Sequence, residues 1–456
     1  MRTLLVAGTL LLVACASDGS EQAGTSTQPA PVTTASESAY PPAPETPDGP
    51  LADEASEAID QLLTGVLTTD WEVDSVDGLV DAGDPRTAWL IADLLRFYQT
   101  GFETEVLAAA FADLTGADWD SGEVEFVWAT NHLIAWDLPA WDGYGDAKRQ
   151  IFGPLQPTWD RFFAEDHGVD WRLVTWGGVA PDTRPLDDNE PCPCIPALDH
   201  PATSDASGGD WYGESDVVFG VVVGNDAIAL PKHQMEVHEM VHVTLGDREL
   251  GIPYCTLCGS AQAYFVDDVP GIDRAVLRTS GLLSRSNKLM YDLTTGSAID
   301  TFTGRALSGQ LGADGVILDQ VSVVASTWGD WKEAHPDTQI LAEDGGIDRT
   351  YVDDPLGGRD EAGPIFPVGD VDPRLPTQEK VIGVIKADGT PVAFPVTATR
   401  AALAEGPVEF ESLVVRLEDS VRVYDSAGDE LVSYESFWFA WSQFHEGTLL
   451  WSPSGP

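Results

Sequence analysis

The sequence predicts an α+β fold: an N-terminal helical bundle, helical-repeat-like, over residues 51–168, then a mainly β domain over 169–456. Three observations lead there. Between 51 and 165, apolar residues recur at three- and four-residue spacing, the period that turns one helix face toward a core. From about 170, short β-branched runs alternate with Gly, Pro and Asp turns. Inside the β domain, a stretch of sequence is echoed further along. Phe219-Gly220-Val221-Val222 leading to Ala229-Leu230-Pro231 resembles Ile382-Gly383-Val384-Ile385 leading to Ala393-Phe394-Pro395, which suggests a duplicated β module.

The chain opens with Arg2 and an apolar run from Leu4 to Ala14, ending in Leu12-Val13-Ala14-Cys15. A run of roughly ten residues is too short to span a bilayer, and its length suits a signal peptide. The small residue before Cys15 makes this a lipobox, so residues 1–15 are expected to end in a lipidated Cys15 and the protein to sit outside the cytoplasm, anchored to the cell membrane. Residues 16–50 are Ser, Thr, Pro, Ala and Glu with almost no large apolar side chains, a disordered tether by composition.

In the helical domain, Asp84-Pro85-Arg86 reads as a helix start, with Asp84 as N-cap and Pro85 in the first turn. The run Ala88 to Phe97 follows, then Glu103 to Leu114, then the aromatic-rich Glu123 to Trp136. His132 lies among apolar residues and reads as a packed histidine. In the β domain the expected strands are Val217–Val223, Val381–Ile385, Leu413–Leu417 and Val421–Tyr424.

A hydrophobic content of 43% with 15 Trp marks a globular chain. The net charge of −51 excludes nucleic acid and anionic membrane surfaces as natural partners, so the expected membrane contact is the lipid anchor alone. There is no G-x-S-x-G elbow and no phosphate-binding Gly loop, which leaves serine hydrolase and nucleotide-binding readings without support.

Candidate chemistry concentrates between Pro231 and Met290. Cys255-Thr256-Leu257-Cys258-Gly259 is a C-x-x-C-G knuckle, a spacing that serves one metal ion, a redox dithiol or a plain disulfide. Upstream, His238-Glu239-Met240-Val241-His242 is a literal H-E-x-x-H. On a helix begun by Pro231 it would place both histidines on one face for zinc, with Glu239 as general base. Together the spacing H-x3-H-x12-C-x2-C would complete a four-ligand N/S site of Cys255, Cys258, His238 and His242. Such ligands suit zinc or copper, with Glu239, Met290 and Asp292 supporting them. Cys192 and Cys194 have the wrong spacing for a second knuckle and are expected to be peripheral or to clip a loop.

Seven motifs in order carry a resemblance: Thr175-Trp176-Gly177-Gly178-Val179, Ile195-Pro196-Ala197-Leu198-Asp199, His238-Glu239-Met240, Tyr254-Cys255-Thr256-Leu257-Cys258-Gly259-Ser260, Ser280-Gly281-Leu282-Leu283, Leu289-Met290-Tyr291-Asp292 and Phe437-Trp438-Phe439-Ala440-Trp441. On these the chain resembles the bacterial domain-of-unknown-function family 3179 over about 170–451. The resemblance implies no activity. It does imply that His242, where relatives carry Asn, stands outside the shared set of His238, Glu239, Cys255 and Cys258. The leading expectation is a metal-binding envelope protein. Its alternatives are a thiol–disulfide or structural-disulfide protein, a zinc metallopeptidase, and a binding module without metal. No catalytic residue is assigned.

Overall fold

Asp84 shows how local chemistry starts the helices. Its carboxylate accepts the backbone N–H of Arg86 and also pairs with the Arg86 guanidinium, so a short 3-10 turn forms at Pro85–Thr87 and feeds the helix Ala88–Phe97. The same Asp-x-Arg device recurs at Asp170/Arg172, Asp182/Arg184 and Asp372/Arg374. In each, one carboxylate satisfies a turn N–H and a guanidinium two residues on.

The computed structural model describes residues 40–453, except 69–72, 120–121, 165–167 and 360–362. Cys15 and the tether as far as residue 39 lie outside the described residues. The described chain is α+β, 30% helical and 26% strand. Helices Asp53–Thr68, Val73–Ala82, Ala88–Phe97, Phe102–Thr115, Glu125–Ala135, Tyr144–Leu155 and Pro157–Ala164 come first. Their apolar faces meet around Leu62, Trp89, Leu94, Phe111 and Trp128. The expected helical runs at 88–97, 103–114 and 123–136 thus fall on helices at 88–97, 102–115 and 125–135. His132 packs among Trp128, Trp136 and Tyr40.

Five sheets follow, arranged as a propeller-like ring. The first orders Val174–Trp176, Leu277–Ser284, Asn287–Asp292 and Ala298–Asp300. Its Leu282, Leu289 and Tyr291 enter the same apolar core as the helices. Polar ties reinforce that joint. Buried Lys148 pairs with Asp93 at 2.7 Å and donates to the carbonyls of Trp171 and Val174, and Trp159 donates its indole N–H to Ser280 O at 2.7 Å. The second sheet centres on Met240–Leu245 and Arg248–Cys255, flanked by Leu198–Asp199 and Ala263–Phe265.

The third and fourth sheets share one plan. In the third, Val217–Val223 and Asp226–Pro231 form a hairpin, Val324–Thr327 runs antiparallel beside the first strand, and Gln339–Leu341 runs parallel beside the second. In the fourth, Lys380–Ile385 and Pro391–Pro395 form the hairpin, Ser433–Phe437 is antiparallel and Leu449–Leu450 parallel. Each hairpin ends in a Pro that starts a helix, Pro231 before Lys232–His238 and Pro395 before Val396–Leu403. The crossover helices Trp328–Ala334 and Trp438–Phe444 also match. Trp331 and Trp441 donate their indole N–H to Thr338 and Thr448, each at 2.9 Å, and stand over His335 and His445 at 4.2 and 4.1 Å. The sequence carries this as Trp-x2-Trp-x3-His-x2-Thr at 328–338 and 438–448, a pattern the hairpin echo alone does not include.

Glycine makes the Trp packing possible. A Cβ on Gly220 would stand 2.2 Å from the Trp331 ring, and one on Gly383 would stand 2.0 Å from Trp441. Gly220→Ala and Gly383→Ala should therefore each lower the unfolding free energy by about 1–3 kcal/mol, as overpacking does. Urea midpoints measure it, and unchanged midpoints in both variants would refute the packing argument.

Candidate functional site

The helix Lys232–His238 stops because Glu239 takes a left-handed φ of 53° while its N–H still bonds Met235 O at 2.8 Å. Positive φ is uncommon outside Gly, so this turn marks a tightly determined point of the backbone. The chain then enters the strand Met240–Leu245. His238 therefore ends a helix while His242 sits within a strand, and the expected H-E-x-x-H face of a single helix does not form. The metallopeptidase geometry fails at that turn.

Each histidine is already engaged. His238 is 1% exposed; its Nδ1–H donates to Pro196 O at 2.8 Å, and its Nε2 accepts the Tyr351 hydroxyl at 2.7 Å. Burial, together with the charges of Arg349 and Arg184, brings its pKa down to about 4 despite the Pro196 bond. His242 is fully buried. Its Nδ1–H donates to Asp199 at 2.8 Å and its Nε2 accepts Leu277 N–H at 3.2 Å, so it is held neutral, with burial pushing its pKa down.

Asp199 is the hub beneath them. Arg278, wholly buried, grips it with both terminal nitrogens at 3.0 and 2.6 Å and uses its other donors on the carbonyls of Arg184, Leu277 and Pro185. Burial alone would raise the Asp199 carboxyl, but the His242 hydrogen bond and the Arg278 charge outweigh it and hold the group well below the usual carboxylate range. Asp182 lies alongside. It pairs with Arg184 at 2.7 Å, accepts Ala197 N–H at 2.8 Å, and stands 3.8 Å from Arg278 Nε.

The knuckle lies on the other side of Glu239. Strands Arg248–Cys255 and Ser260–Ala261 pair through Cys255↔Ser260, so Cys255 to Gly259 is the turn of a hairpin. Gly259 has a φ of 61°, and a Cβ there would meet the Phe437 ring at 2.9 Å. Cys255 and Cys258 are buried and joined as a disulfide, with Cα atoms 5.5 Å apart. Each sulfur has a donor close by, Lys288 N–H at 3.4 Å from Cys255 Sγ and Ser260 Oγ at 3.3 Å from Cys258 Sγ. Glu239 ties this turn to the sheet behind it. Its carboxylate accepts the Thr256 hydroxyl at 2.7 Å and lies 3.6 Å from Lys288 Nζ, which also donates to Glu239 O. Burial brings the Lys288 amine down to about 8, against the pull of Glu239.

The expected quartet of Cys255, Cys258, His238 and His242 is not brought together. Both rings have spent their nitrogens on the protein, and the sulfurs are bonded to each other, so the residues present do not fit a zinc or copper site. Among the described residues, the one set of three or more His, Cys, Asp or Glu ligand atoms converging within 4.8 Å is Asp182, Cys192 and Cys194. There Cys192 and Cys194 are joined as a disulfide and Asp182 is committed to Arg184. Met290 is packed in the core with Leu277 and Ile299, not beside a ligand. Asp292 caps a turn, accepting from Val276 N, Thr295 N and Thr295 Oγ1 at 2.7, 2.7 and 2.8 Å.

Sequence reasoning missed Lys288, Arg278, Asp182, Arg184 and Tyr351. Two signals were there to find. A Lys placed directly before the apolar run Leu289-Met290-Tyr291 must find a partner if that run is buried, and Asp182-Thr183-Arg184 repeats the Asp-x-Arg pattern of Asp84-Pro85-Arg86.

A family model described as a protein of unknown function, DUF3179, matches residues 192–427. No curated protein and no solved structure matches the chain.

Two outcomes follow from the buried charges. Asp199→Asn leaves the Arg278 charge unmatched and should cost about 3–5 kcal/mol in denaturant unfolding, whereas Asp199→Leu with Arg278→Met should cost less. Equal losses would show that the pair does not act as an ion pair. His238 has a folded pKa of about 4, below the ordinary histidine value of about 6.5, so the unfolded chain binds more protons between those values. The stability His238 contributes is full above pH 6.5 and is lost as pH falls toward 4. The stability gap between wild type and His238→Gln, followed by thermal unfolding, should close over that window; a constant gap would contradict a neutral buried ring.

Proposed function

Because the chain belongs to the DUF3179 family, whose description assigns no activity, we propose its function from the geometry of the site. The protein is a thiol–disulfide protein of the cell envelope, held outside the cytoplasm by lipid on Cys15, and its working group is the Cys255–Cys258 pair. The two like sheets are copies of one β module, and the helices at 51–168 form a bundle beside them.

One observation carries the reading: the paired sulfurs each have a hydrogen-bond donor, within a turn anchored by the buried Lys288–Glu239 pair. After reduction by a small thiol such as glutathione, which is itself oxidised to its disulfide, those donors favour a thiolate over a thiol. The exchange is balanced. One thiolate attacks a partner's disulfide and releases one partner thiolate. The second cysteine then displaces the other partner sulfur, so two electrons pass to the partner and the disulfide returns to this chain. Both cysteines are buried, so exchange requires their turn to open to the partner. The soft-metal alternative requires both histidines to leave their present hydrogen bonds.

The test is differential alkylation of the full chain, extracted in detergent, with each cysteine read by peptide mass spectrometry. The expected result is lipid on Cys15, and a Cys255–Cys258 bond that opens and closes in a native glutathione buffer more slowly in Lys288→Met. A bond that resists excess dithiothreitol while the fold persists would make it a structural staple. About one zinc or copper per chain, lost in Cys255→Ser/Cys258→Ser, would restore the metal reading.

A further inference from the structure

Against Lys232, His233 and Glu236 of the Lys232–His238 helix lies a cavity of about 850 Å³ whose chemistry the thiol reading does not use. Its walls are of two kinds. Trp211, Tyr212, His233 and Tyr351 supply an aromatic cluster. His233 stacks on Tyr212 at 5.3 Å and 25°, and meets Trp211 and Tyr351 edge-on at 5.9 and 5.8 Å. Around these rings stand Asp216, Glu236, Glu343, Asp344, Asp353 and Asp354, six carboxylates against the two cations Lys232 and Arg349, a net of −4. Lys232 is itself paired with Glu236 at 2.5 Å.

Two polar groups in this lining have no protein partner. His233 is 9% exposed, and its ring nitrogens make no hydrogen bond among the described residues. The indole N–H of Trp211 is also unbonded but has no accessible surface, so His233 is the one of the two that opens to the cavity. A buried polar group left unpaired is costly, and native proteins satisfy nearly all of them. By contrast Tyr351, in the same wall, has turned its hydroxyl away to His238, leaving its ring for the cavity.

We infer that this cavity binds an alkyl polyammonium ion, a linear amine with several N–H-bearing cationic nitrogens. The carboxylates supply the charge match, the aromatic faces take the methylene spacers and hold ammonium groups by cation–π attraction, and the open nitrogen of His233 accepts an ammonium N–H. A quaternary ammonium would leave that nitrogen unmet. A bare divalent cation would leave the aromatic walls without purpose. A cavity of this size suits a ligand larger than one amine.

Calorimetric titration of spermidine into the full chain tests the inference. Saturable binding is expected. His233→Phe, which keeps the ring and removes the acceptor, should weaken it at least tenfold, and Asp353→Asn/Asp354→Asn, two exposed positions, should weaken it several-fold. Asp53→Asn/Glu54→Gln, the same charge change made on the exposed start of the first helix, should leave it unaltered. Calcium should not displace the amine at equal concentration. Binding that is absent, that falls equally in the control variant, or that calcium abolishes would overturn the inference. The first outcome denies a site, the second reduces it to overall charge, and the third makes it a general cation site. None of these outcomes bears on the cysteine pair, whose test is separate.

Discussion

Everything at the centre of this protein is arranged around a guanidinium that water never reaches. Arg278 comes from the first sheet and Asp199 from the second, and their two-pronged contact joins those sheets. Removing both charges from water costs several kcal/mol per ion, so the pair is tenable only because every donor on Arg278 has an acceptor. Those acceptors include carbonyls of Arg184 and Pro185, which fixes the loop carrying Asp182. Tyr291 then donates to Asp182 O at 2.6 Å, and Asp182 N–H to Thr279 O at 2.9 Å, returning the network to the first sheet. His242 completes the shell around Asp199. In this chain it is a structural partner of an aspartate and not half of a metal motif.

From that centre the turn at Glu239 distributes side chains to two different places. His238 goes toward Pro196 and Tyr351, and through Tyr351 to the aromatic cavity. Glu239 goes toward Thr256 and Lys288, and so to the cysteine turn. One left-handed residue at a helix end therefore separates two sites that adjacent sequence positions would suggest are one. The helix before the turn also contributes Lys232, His233 and Glu236 to the cavity wall, so a seven-residue element positions both sites.

The paired plan of the third and fourth sheets offers a physical reason for the uneven chemistry along the chain. Both hairpins use Gly to admit a Trp from a crossover helix, and both end in Pro before a short helix. After the first, the chain continues into His238, Glu239 and the cysteine turn; after the second, Val396–Leu403 leads to the fifth sheet, Val408–Phe410, Leu413–Leu417 and Val421–Tyr424. The fourth sheet still reaches that chemistry, since its Phe437 donates its N–H to Cys258 O at 2.8 Å and packs on Gly259. It thus buttresses the cysteine turn that follows the first hairpin.

What the sequence by itself determined was local. Asp84 capping Pro85-Arg86, the helix at 88–97, the strands at 217–223, 413–417 and 421–424, and the tight C-x-x-C turn are set by spacing, caps and turn residues acting over a few positions. The family, too, was legible, because its motifs are contiguous runs of residues. The ligand quartet was a count of positions that assumed the helix continued through Glu239, and among the described residues its four ligand groups do not converge. Only the tertiary structure decided where the chain reverses, and hence that His242 faces Asp199 and Arg278 while Cys255 meets the backbone N–H of Lys288. Those partners lie between 33 and 43 residues away in the chain, and burial, which no local pattern encodes, chose them by requiring every charge taken from water to find its match.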